Sequence, residues 1–279
     1  MQSRTAFGAF LGLAMIAGSA QAETPLERGT YLMNSIVACG NCHTNQGPNG
    51  PIKEMDLAGG LIFNDFPGST VLSANITPNP ETGIGKWSDA DIINAIRNGK
   101  RPDGSLIGPP MPFHFYRQMS DDDVKAIVAY LRQAKPVTNK VERSKYAFPL
   151  PPEWGPPVTS VAAVSKDDKV AYGEYLAGPL GHCMECHSGP GEQGAPDPVN
   201  KLGAGGMTFK GPWGVSVAPN ITPSGLHEWT DEEIKTAVTK GLRRDGTHFL
   251  PPMGVSYYAN MTDDDLSAII AYLRQLPPK

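Results

Sequence analysis

The chain has 279 residues, of which 40% are hydrophobic and 19% are charged, and its formal net charge is −4. With 31 glycines and 27 prolines, about a fifth of the chain resists regular structure, which predicts loop-rich domains with small cores. The modest charge excludes a disordered polyelectrolyte. The lack of a basic excess excludes nucleic acid as a partner held through phosphate contacts.

The first 22 residues have the three regions of a secretory signal peptide. Arg4 precedes an apolar run over residues 6–17, and Ala20, Gln21 and Ala22 form a small-x-small cleavage site. The apolar run is shorter than the ~20 residues that a membrane span needs, and an uncleaved anchor is the alternative. We expect cleavage after Ala22, a periplasmic location and no stable membrane span in the mature protein.

Two copies of one short pattern contain all four cysteines of the chain. They read Cys39-Gly40-Asn41-Cys42-His43, preceded by a segment over residues 26–38, and Cys183-Met184-Glu185-Cys186-His187. C-x-x-C-H is the attachment sequence of c-type haem, in which the thiols form thioethers and the imidazole is the proximal iron ligand. A histidine after the second cysteine in both copies disfavours a disulfide or a zinc site. The sequence therefore predicts two covalently bound haem c groups, attached through Cys39, Cys42, Cys183 and Cys186, with His43 and His187 as metal ligands.

The two patterns belong to an internal repeat with a period of about 144 residues. The matched pairs include Gly29-Thr30-Tyr31-Leu32 with Gly173-Glu174-Tyr175-Leu176, Asn75-Ile76-Thr77-Pro78 with Asn220-Ile221-Thr222-Pro223, and Pro109-Pro110-Met111 with Pro251-Pro252-Met253. The sequence thus predicts two copies of one domain, a first domain over residues 23–133 and a second domain over residues 171–279.

Residues 134–170, between the two copies, are rich in proline and have little periodicity. This composition predicts a linker in a stiff, extended conformation that holds the two haems in a fixed geometry. A plain spacer is the alternative. The prolines are Pro136, Pro149, Pro151, Pro152, Pro156 and Pro157.

Each copy is predicted to be mostly helical with long loops. Ser88 is a candidate N-cap for a helix over residues 89–98 that ends at Gly99, and Thr230 and Gly241 bracket its counterpart.

The last helix of each copy has a stronger start signal. Ser120 with Asp123, and Thr262 with Asp265, have the capping-box offset, with Asp in place of the usual Glu. Apolar residues then recur at helical intervals and predict one buried stripe per helix. They are Val124, Ile127, Val128 and Leu131 in the first copy and Leu266, Ile269, Ile270 and Leu273 in the second.

On these motifs each half resembles a class I cytochrome c domain. The whole is similar to exported dihaem cytochromes c and to cytochrome subunits of bacterial alcohol, aldehyde and gluconate dehydrogenases. The resemblance implies a mainly α fold of two tandem class I domains with long loops, joined by a Pro-rich linker. It also implies that Gly29 and Gly173 let the first helix approach the last one, which carries Tyr130 or Tyr272. The dehydrogenase subunits typically have three haems and a membrane-associating end, and this sequence departs from that pattern.

A methionine is expected as the second axial ligand of each iron. Met111 and Met253 match each other in the repeat and follow the histidine of their pattern by 68 and 66 residues. Their separation from the last helix is similar to that in class I cytochromes. Met119 and Met261 also match, but each directly precedes a helix cap, where a hydrophobic residue packs against the helix.

Two occupied axial positions leave no site for a substrate on the iron, which favours an electron carrier. The sequence thus predicts a periplasmic dihaem cytochrome that takes electrons from a dehydrogenase and passes them to a cytochrome or oxidase, with no catalytic residue. The alternative is a dihaem oxidoreductase of the peroxidase or thiosulfate dehydrogenase type with one catalytic haem. His114 and His248 keep this alternative open, because either one could replace its neighbouring methionine and make the two haems unequal.

Four further residues are candidate contacts for the haem propionates. Trp87 and Trp229 each have one indole donor, and Arg101 and Arg243 precede matched Asp-Gly turns. Packing for the tryptophans and solvent exposure for the arginines are the alternative interpretations.

Overall fold

A computed structural model describes residues 23–47, 50–64, 66–192, 194–211 and 213–279, so the predicted signal peptide lies outside the described residues. As predicted, the protein is mainly helical. The helices of the first domain are α1 (Pro25–Asn34), α2 (Cys39–His43), α3 (Asp89–Asn98), α4 (Phe113–Tyr116) and α5 (Asp121–Gln133). Those of the second are α6 (Lys169–Tyr175), α7 (Cys183–His187), α8 (Pro223–Leu226), α9 (Asp231–Lys240), α10 (Val255–Tyr258) and α11 (Asp263–Gln275). Within the described ranges, no helix is both long enough and apolar enough to cross a bilayer.

Short antiparallel hairpins and single turns complete the two domains. A 3₁₀ turn covers Lys53–Met55, and a π-helical turn, Leu176–Leu180, continues α6 towards α7. The paired strands are β1 (Gln46–Gly47) with β2 (Gly50–Pro51), β3 (Ile62–Phe63) with β4 (Val71–Leu72), and β5 (Thr208–Gly211) with β6 (Gly214–Val217).

In each domain the first helix crosses the last helix at a glycine. A Cβ atom on Gly29 would lie 2.0 Å from the carbonyl oxygen of Ala126, and one on Gly173 would lie 1.9 Å from that of Ala268. Both distances are far below van der Waals contact, so only glycine permits this approach. The expected close crossing is confirmed in both domains.

The helix α3 and its counterpart α9 begin and end where the sequence predicts. Ser88 forms a full capping box with Asp91, and Gly99 ends α3 with a φ of 61°. Thr230 and Gly241, with a φ of 63°, do the same for α9. Local signals alone therefore fix the bounds of these helices.

The start of the last helix differs from a full capping box. The hydroxyl of Ser120 accepts a hydrogen bond from the Asp123 amide, as expected, but the Asp123 carboxylate does not return to the Ser120 amide. That carboxylate instead binds Arg28 at 2.7 Å and the hydroxyl of Tyr175 from the second domain at 2.6 Å. Ser120 is therefore the N-cap, as the sequence predicts, and the second half of the box is absent because the Asp123 carboxylate binds partners far away in the chain.

The linker lies along the surface of the first domain as a belt, residues 137–161. Lys145 pairs with Thr70, and both backbone hydrogen bonds measure 2.8 Å. Further along, the Tyr146 hydroxyl donates to the Pro109 carbonyl at 2.7 Å, and the Trp154 indole donates to the Ile107 carbonyl at 2.9 Å. The belt therefore covers the loop that leads to Met111.

Apolar side chains of both domains form one continuous core. A Cβ atom on Gly181 would lie 2.7 Å from Cδ1 of Ile36, so the first domain packs directly against the segment before α7. Ile36 is itself buried, at 2% exposure. Met119 and Met261 are buried in the same core, in agreement with the packing role expected of them.

Candidate haem-binding sites

The short helices α2 and α7 place the two cysteines of each pattern on one face. The cysteines stand three residues apart, close to one helical turn, so their thiols share a side of the helix. The residue before each helix, Ala38 or His182, has a left-handed conformation with a φ of 48° or 38°. The same unusual backbone thus introduces both patterns, and all four thiols are free.

Burial keeps these thiols protonated at neutral pH. It raises the pKa of Cys39 and Cys186 to about 12, and that of Cys42 and Cys183 to about 11. A nucleophilic cysteine needs a lowered pKa and an electropositive surrounding. None of the four cysteines therefore has the lowered pKa of an activated thiolate.

The two histidines of the patterns are oriented in the same way. Nδ1 of His43 lies 2.7 Å from the Ala74 carbonyl oxygen, and Nδ1 of His187 lies 2.9 Å from that of Pro219. Because a carbonyl only accepts, Nδ1 carries the proton and the lone pair stands on Nε2. Burial lowers the pKa of both imidazoles, which favours the neutral form that binds metals.

The residues present fit a covalently attached haem in each domain. A metal-ligating histidine usually donates its other ring nitrogen to a carbonyl or carboxylate, and both histidines do so here. Two thiols on the adjoining turn are free to form thioethers with one porphyrin. The donor set is therefore the one that c-type haem requires, twice over.

The loops that carry the expected methionine ligands have the same form in the two domains. Met111 and Met253 each follow a proline pair joined by a cis peptide bond. The carbonyl of each methionine accepts a hydrogen bond from the amide two residues later, at 3.0 Å from Phe113 and 2.9 Å from Val255. Both methionine side chains are half-buried. Their role as axial ligands stays a prediction.

His114 and His248 occupy unrelated positions. His114 is an exposed residue of α4, and its ring centroid lies 4.5 Å from that of Phe115. His248 is exposed on the loop before the second proline pair, where its backbone forms an isolated antiparallel β-bridge with Leu242. The repeat that relates the methionine loops thus does not extend to these histidines.

The candidate propionate contacts have partners of their own. Trp87 and Trp229 pack against the core, and their carbonyls accept from Arg132 and Arg274 at 2.5 Å. Arg101 and Arg243 each direct one nitrogen to a carbonyl within their own turn, that of Leu106 or of His248. Contact of these four side chains with propionates stays a prediction.

The two attachment helices face the interface between the domains. The Asn41 side chain in the first pattern donates to the Pro252 carbonyl, at 3.3 Å, directly before Met253. A Cβ atom on Gly40 would lie 2.2 Å from the hydroxyl of Tyr257 in α10. In the reverse direction, the Tyr116 ring of α4 lies 5.6 Å from that of His182, the residue before α7. The segment after each methionine therefore contacts the attachment segment of the other domain.

Sequence reasoning missed the residues that join the domains and those that hold the belt. Tyr31 and Tyr175 were visible as matched positions of the repeat, but nothing local indicates their partners. Arg117, which donates to the carbonyls of Trp154 and Pro156, is unmatched in the repeat, and its counterpart is Ala259. Such a mismatch is the one signal that could have pointed to the belt.

Comparison with known proteins identifies a cytochrome c domain in each half. Residues 170–277 match the family described as "Cytochrome c", and residues 24–131 match "Cytochrome C oxidase, cbb3-type, subunit III". The cytochrome c subunit of the quinone alcohol dehydrogenase of Gluconacetobacter polyoxogenes is 32% identical over 95% of this chain. The chain spans 60% of the length of that subunit.

A shorter relative covers the same two domains. The "Diheme cytochrome c-type" protein of Cereibacter sphaeroides is 30% identical over 86% of this chain and 82% of its own length. The cytochrome c subunit of the gluconate 2-dehydrogenase of Pantoea cypripedii is 29% identical over 96% of this chain and 63% of its own length.

Proposed function

The chain belongs to the cytochrome c family, with two tandem cytochrome c domains, and from this premise we propose that it is a periplasmic electron carrier. Each of its two attachment patterns ends in a histidine whose Nδ1–H group donates to a backbone carbonyl, which is the observation that carries the proposal. When bound, each haem supplies one-electron redox chemistry at its iron. The chain supplies two thiols and one imidazole on either side of the domain interface.

The methionine loops support a carrier in preference to an enzyme. Met111 and Met253 have the same backbone hydrogen bond and the same half-buried state, so the two domains offer equivalent sixth ligands. If Met111 and Met253 each bound the iron of their own domain together with its histidine, neither iron would have a free coordination site for a small substrate. A catalytic dihaem protein needs one domain to differ at this position.

The names of the relatives support a proposal for the redox partners of this protein. Relatives named as cytochrome c subunits of alcohol and gluconate dehydrogenases support a dehydrogenase as electron donor and a respiratory protein as acceptor. A small redox contact of the transient type, below about 1,200 Å², suits such an exchange. The periplasmic location rests on the signal sequence over residues 1–22.

The proposal is tested by exposing the purified holoprotein to cyanide and peroxide. We expect neither ligand to change the optical spectrum of the wild-type protein rapidly. Met111→Ala and Met253→Ala should each open one axial position, allow cyanide to bind to half of the haem, and lower one reduction potential. Met119→Ala is the matched control, since that side chain is buried in the core. Rapid peroxide turnover by the wild-type protein would instead identify an enzyme.

A further inference from the structure

The two domains exchange one hydrogen-bonded tyrosine each. The Tyr175 hydroxyl, on α6 of the second domain, donates to the Asp123 carboxylate at 2.6 Å and accepts from the Ser120 amide at 3.0 Å. The Tyr31 hydroxyl, on α1 of the first domain, donates to Asp265 at 2.6 Å and accepts from the amide of Thr262 at 3.2 Å. Each tyrosine thus completes the N-terminal cap of the last helix in the opposite domain.

The two contacts are equivalent under exchange of the domains. Tyr31 and Tyr175 are matched positions of the repeat, as are Asp123 and Asp265. Such reciprocity is the mark of an isologous interface, here formed within one chain. We call these two contacts, Tyr31 with Asp265 and Tyr175 with Asp123, the tyrosine clasp.

Three of the four residues of the clasp are buried, and the fourth, Tyr31, is half-buried. Asp123 and Asp265 are 6% and 4% exposed, and Tyr175 is 5% exposed. Burial and then the neighbouring carboxylate raise the pKa of Tyr31, so its hydroxyl keeps its proton at neutral pH and donates. Removing a hydrogen-bond donor from a buried carboxylate costs free energy, which holds for both contacts, although Asp123 also keeps its ion pair with Arg28.

The clasp acts on the segments that lead into the attachment helices. Tyr31 stands eight residues before Cys39, and Tyr175 stands eight residues before Cys183. Only residues 35–38 separate α1 from α2, and the turn Leu176–Leu180 leads from α6 towards α7. A shift of either tyrosine therefore shifts the helix to which the haem of its own domain is attached.

We infer that Tyr31 and Tyr175 are positioning residues that fix the distance between the two haem-binding helices and so set electron transfer between the domains. The inference rests on the proposed function, because it assumes that both domains carry haem. A hydrogen bond to a charged group is worth about one factor of ten or more in an equilibrium. Each Tyr→Phe change should therefore weaken the contact between these helix ends roughly tenfold, while the ring continues to pack against the shared core.

The experiment uses Tyr31→Phe, Tyr175→Phe and the double variant of the full holoprotein. Pulsed electron paramagnetic resonance on the oxidised protein measures the distribution of distances between the two irons. We expect one narrow distribution for the wild type and a broader, longer one for the double variant, with slower electron transfer between the domains after flash reduction. Tyr175→Phe should have the larger effect of the single variants, since its contact is the more deeply buried one.

Thr24→Ala is the matched control for lost stability. Thr24 caps α1 through Glu27, and the hydrogen bonds of its side chain within the described residues stay inside the first domain. If the double variant does not accumulate in cells, the iron–iron distance distributions of the two single variants test the inference in its place. An unchanged iron–iron distance distribution in the Tyr→Phe variants, or equal broadening in Thr24→Ala, overturns the inference. The distance measurement needs no partner protein, so it tests the clasp independently of the carrier role. If the Tyr→Phe variants show broadened distances but the wild-type protein accepts no electrons from a dehydrogenase, the clasp is supported and the carrier role is refuted.

Discussion

The first and second domains share the geometry of their candidate haem-binding residues but differ in what covers these residues. In the first domain the belt pairs with Thr70 at the edge of the β3–β4 hairpin and packs over the loop before Met111. In the second domain, no segment of the described chain pairs with the corresponding edge of β6, where Val215 and Val217 are 56% and 59% exposed. The repeated residues thus determine the candidate haem-binding site of each domain. Residues outside the repeat determine whether a further segment of the chain covers that domain.

The residues that differ between the copies explain this asymmetry. A Cβ atom on Gly108 would lie 2.4 Å from the ring of Tyr146, so glycine is needed beneath the belt. Its counterpart in the second domain is Leu250, which is 42% exposed. Arg117, which holds the belt carbonyls, is matched by Ala259. The second domain therefore lacks the anchors for a belt of this kind.

The largest expected change in stability concerns the glycine at the helix crossing, a feature that the two domains share. Gly29→Ala and Gly173→Ala should each lower the free energy of unfolding by about 3 kcal/mol, because the new methyl group overlaps a helix carbonyl in a packed crossing. Urea unfolding of the holoprotein measures this. Gly178→Ala is the control, since a methyl group there meets no atom within 4 Å. A wild-type midpoint for either crossing variant would refute the equivalence of the two domains.

An intermediate effect separates the domains. Trp154→Ala should cost about 2 kcal/mol, below the range for fully buried tryptophans because Trp154 is half-buried against Phe113, with ring centroids 4.4 Å apart. Trp213→Ala, on the uncovered hairpin of the second domain, should change the unfolding free energy by less than about 0.5 kcal/mol. The same urea titrations compare the two variants. Equal losses would show that the belt adds nothing specific to the first domain.

The smallest expected effect is a pH response of the far end of the belt. Asp121 accepts hydrogen bonds from Ser160 and the Val161 amide and pairs with Arg97, which together lower its pKa from 3.8 to about 2. A carboxylate with a lowered pKa stabilises the folded form above its ordinary pKa. That contribution is lost as the pH falls from about 4 through about 2.

Nuclear magnetic resonance of the Val161 amide detects this release. Its chemical shift should move towards the free-chain value between pH 4 and pH 2. In Asp121→Asn the same amide should show no titration over this range. A shift in the wild type that stays constant down to pH 2 would mean that Asp121 does not hold the belt.

Much of the fold and of the site is encoded locally and was accessible from sequence. The bounds of α3 follow from Ser88 and Gly99, and the haem attachment pattern is complete within five residues. The periodicity of α5 and α11 predicts their buried stripes for the same reason.

The remainder depends on contacts between residues far apart in the chain. The Asp123 carboxylate binds Tyr175 in preference to its own helix start, a choice that only the assembled interface determines. The Trp154 contact with the Ile107 carbonyl likewise spans 47 residues. Composition predicted an extended linker but contained no information about the surface on which it lies.

Near-infrared magnetic circular dichroism of the oxidised holoprotein tests the central claim most directly, because the band of thioether-ligated ferric iron counts methionine-bound haems per chain. The account predicts two such haems, one in each domain and both lost in the Met111→Ala, Met253→Ala double variant. One haem without the band, in a high-spin state at rest, would contradict it.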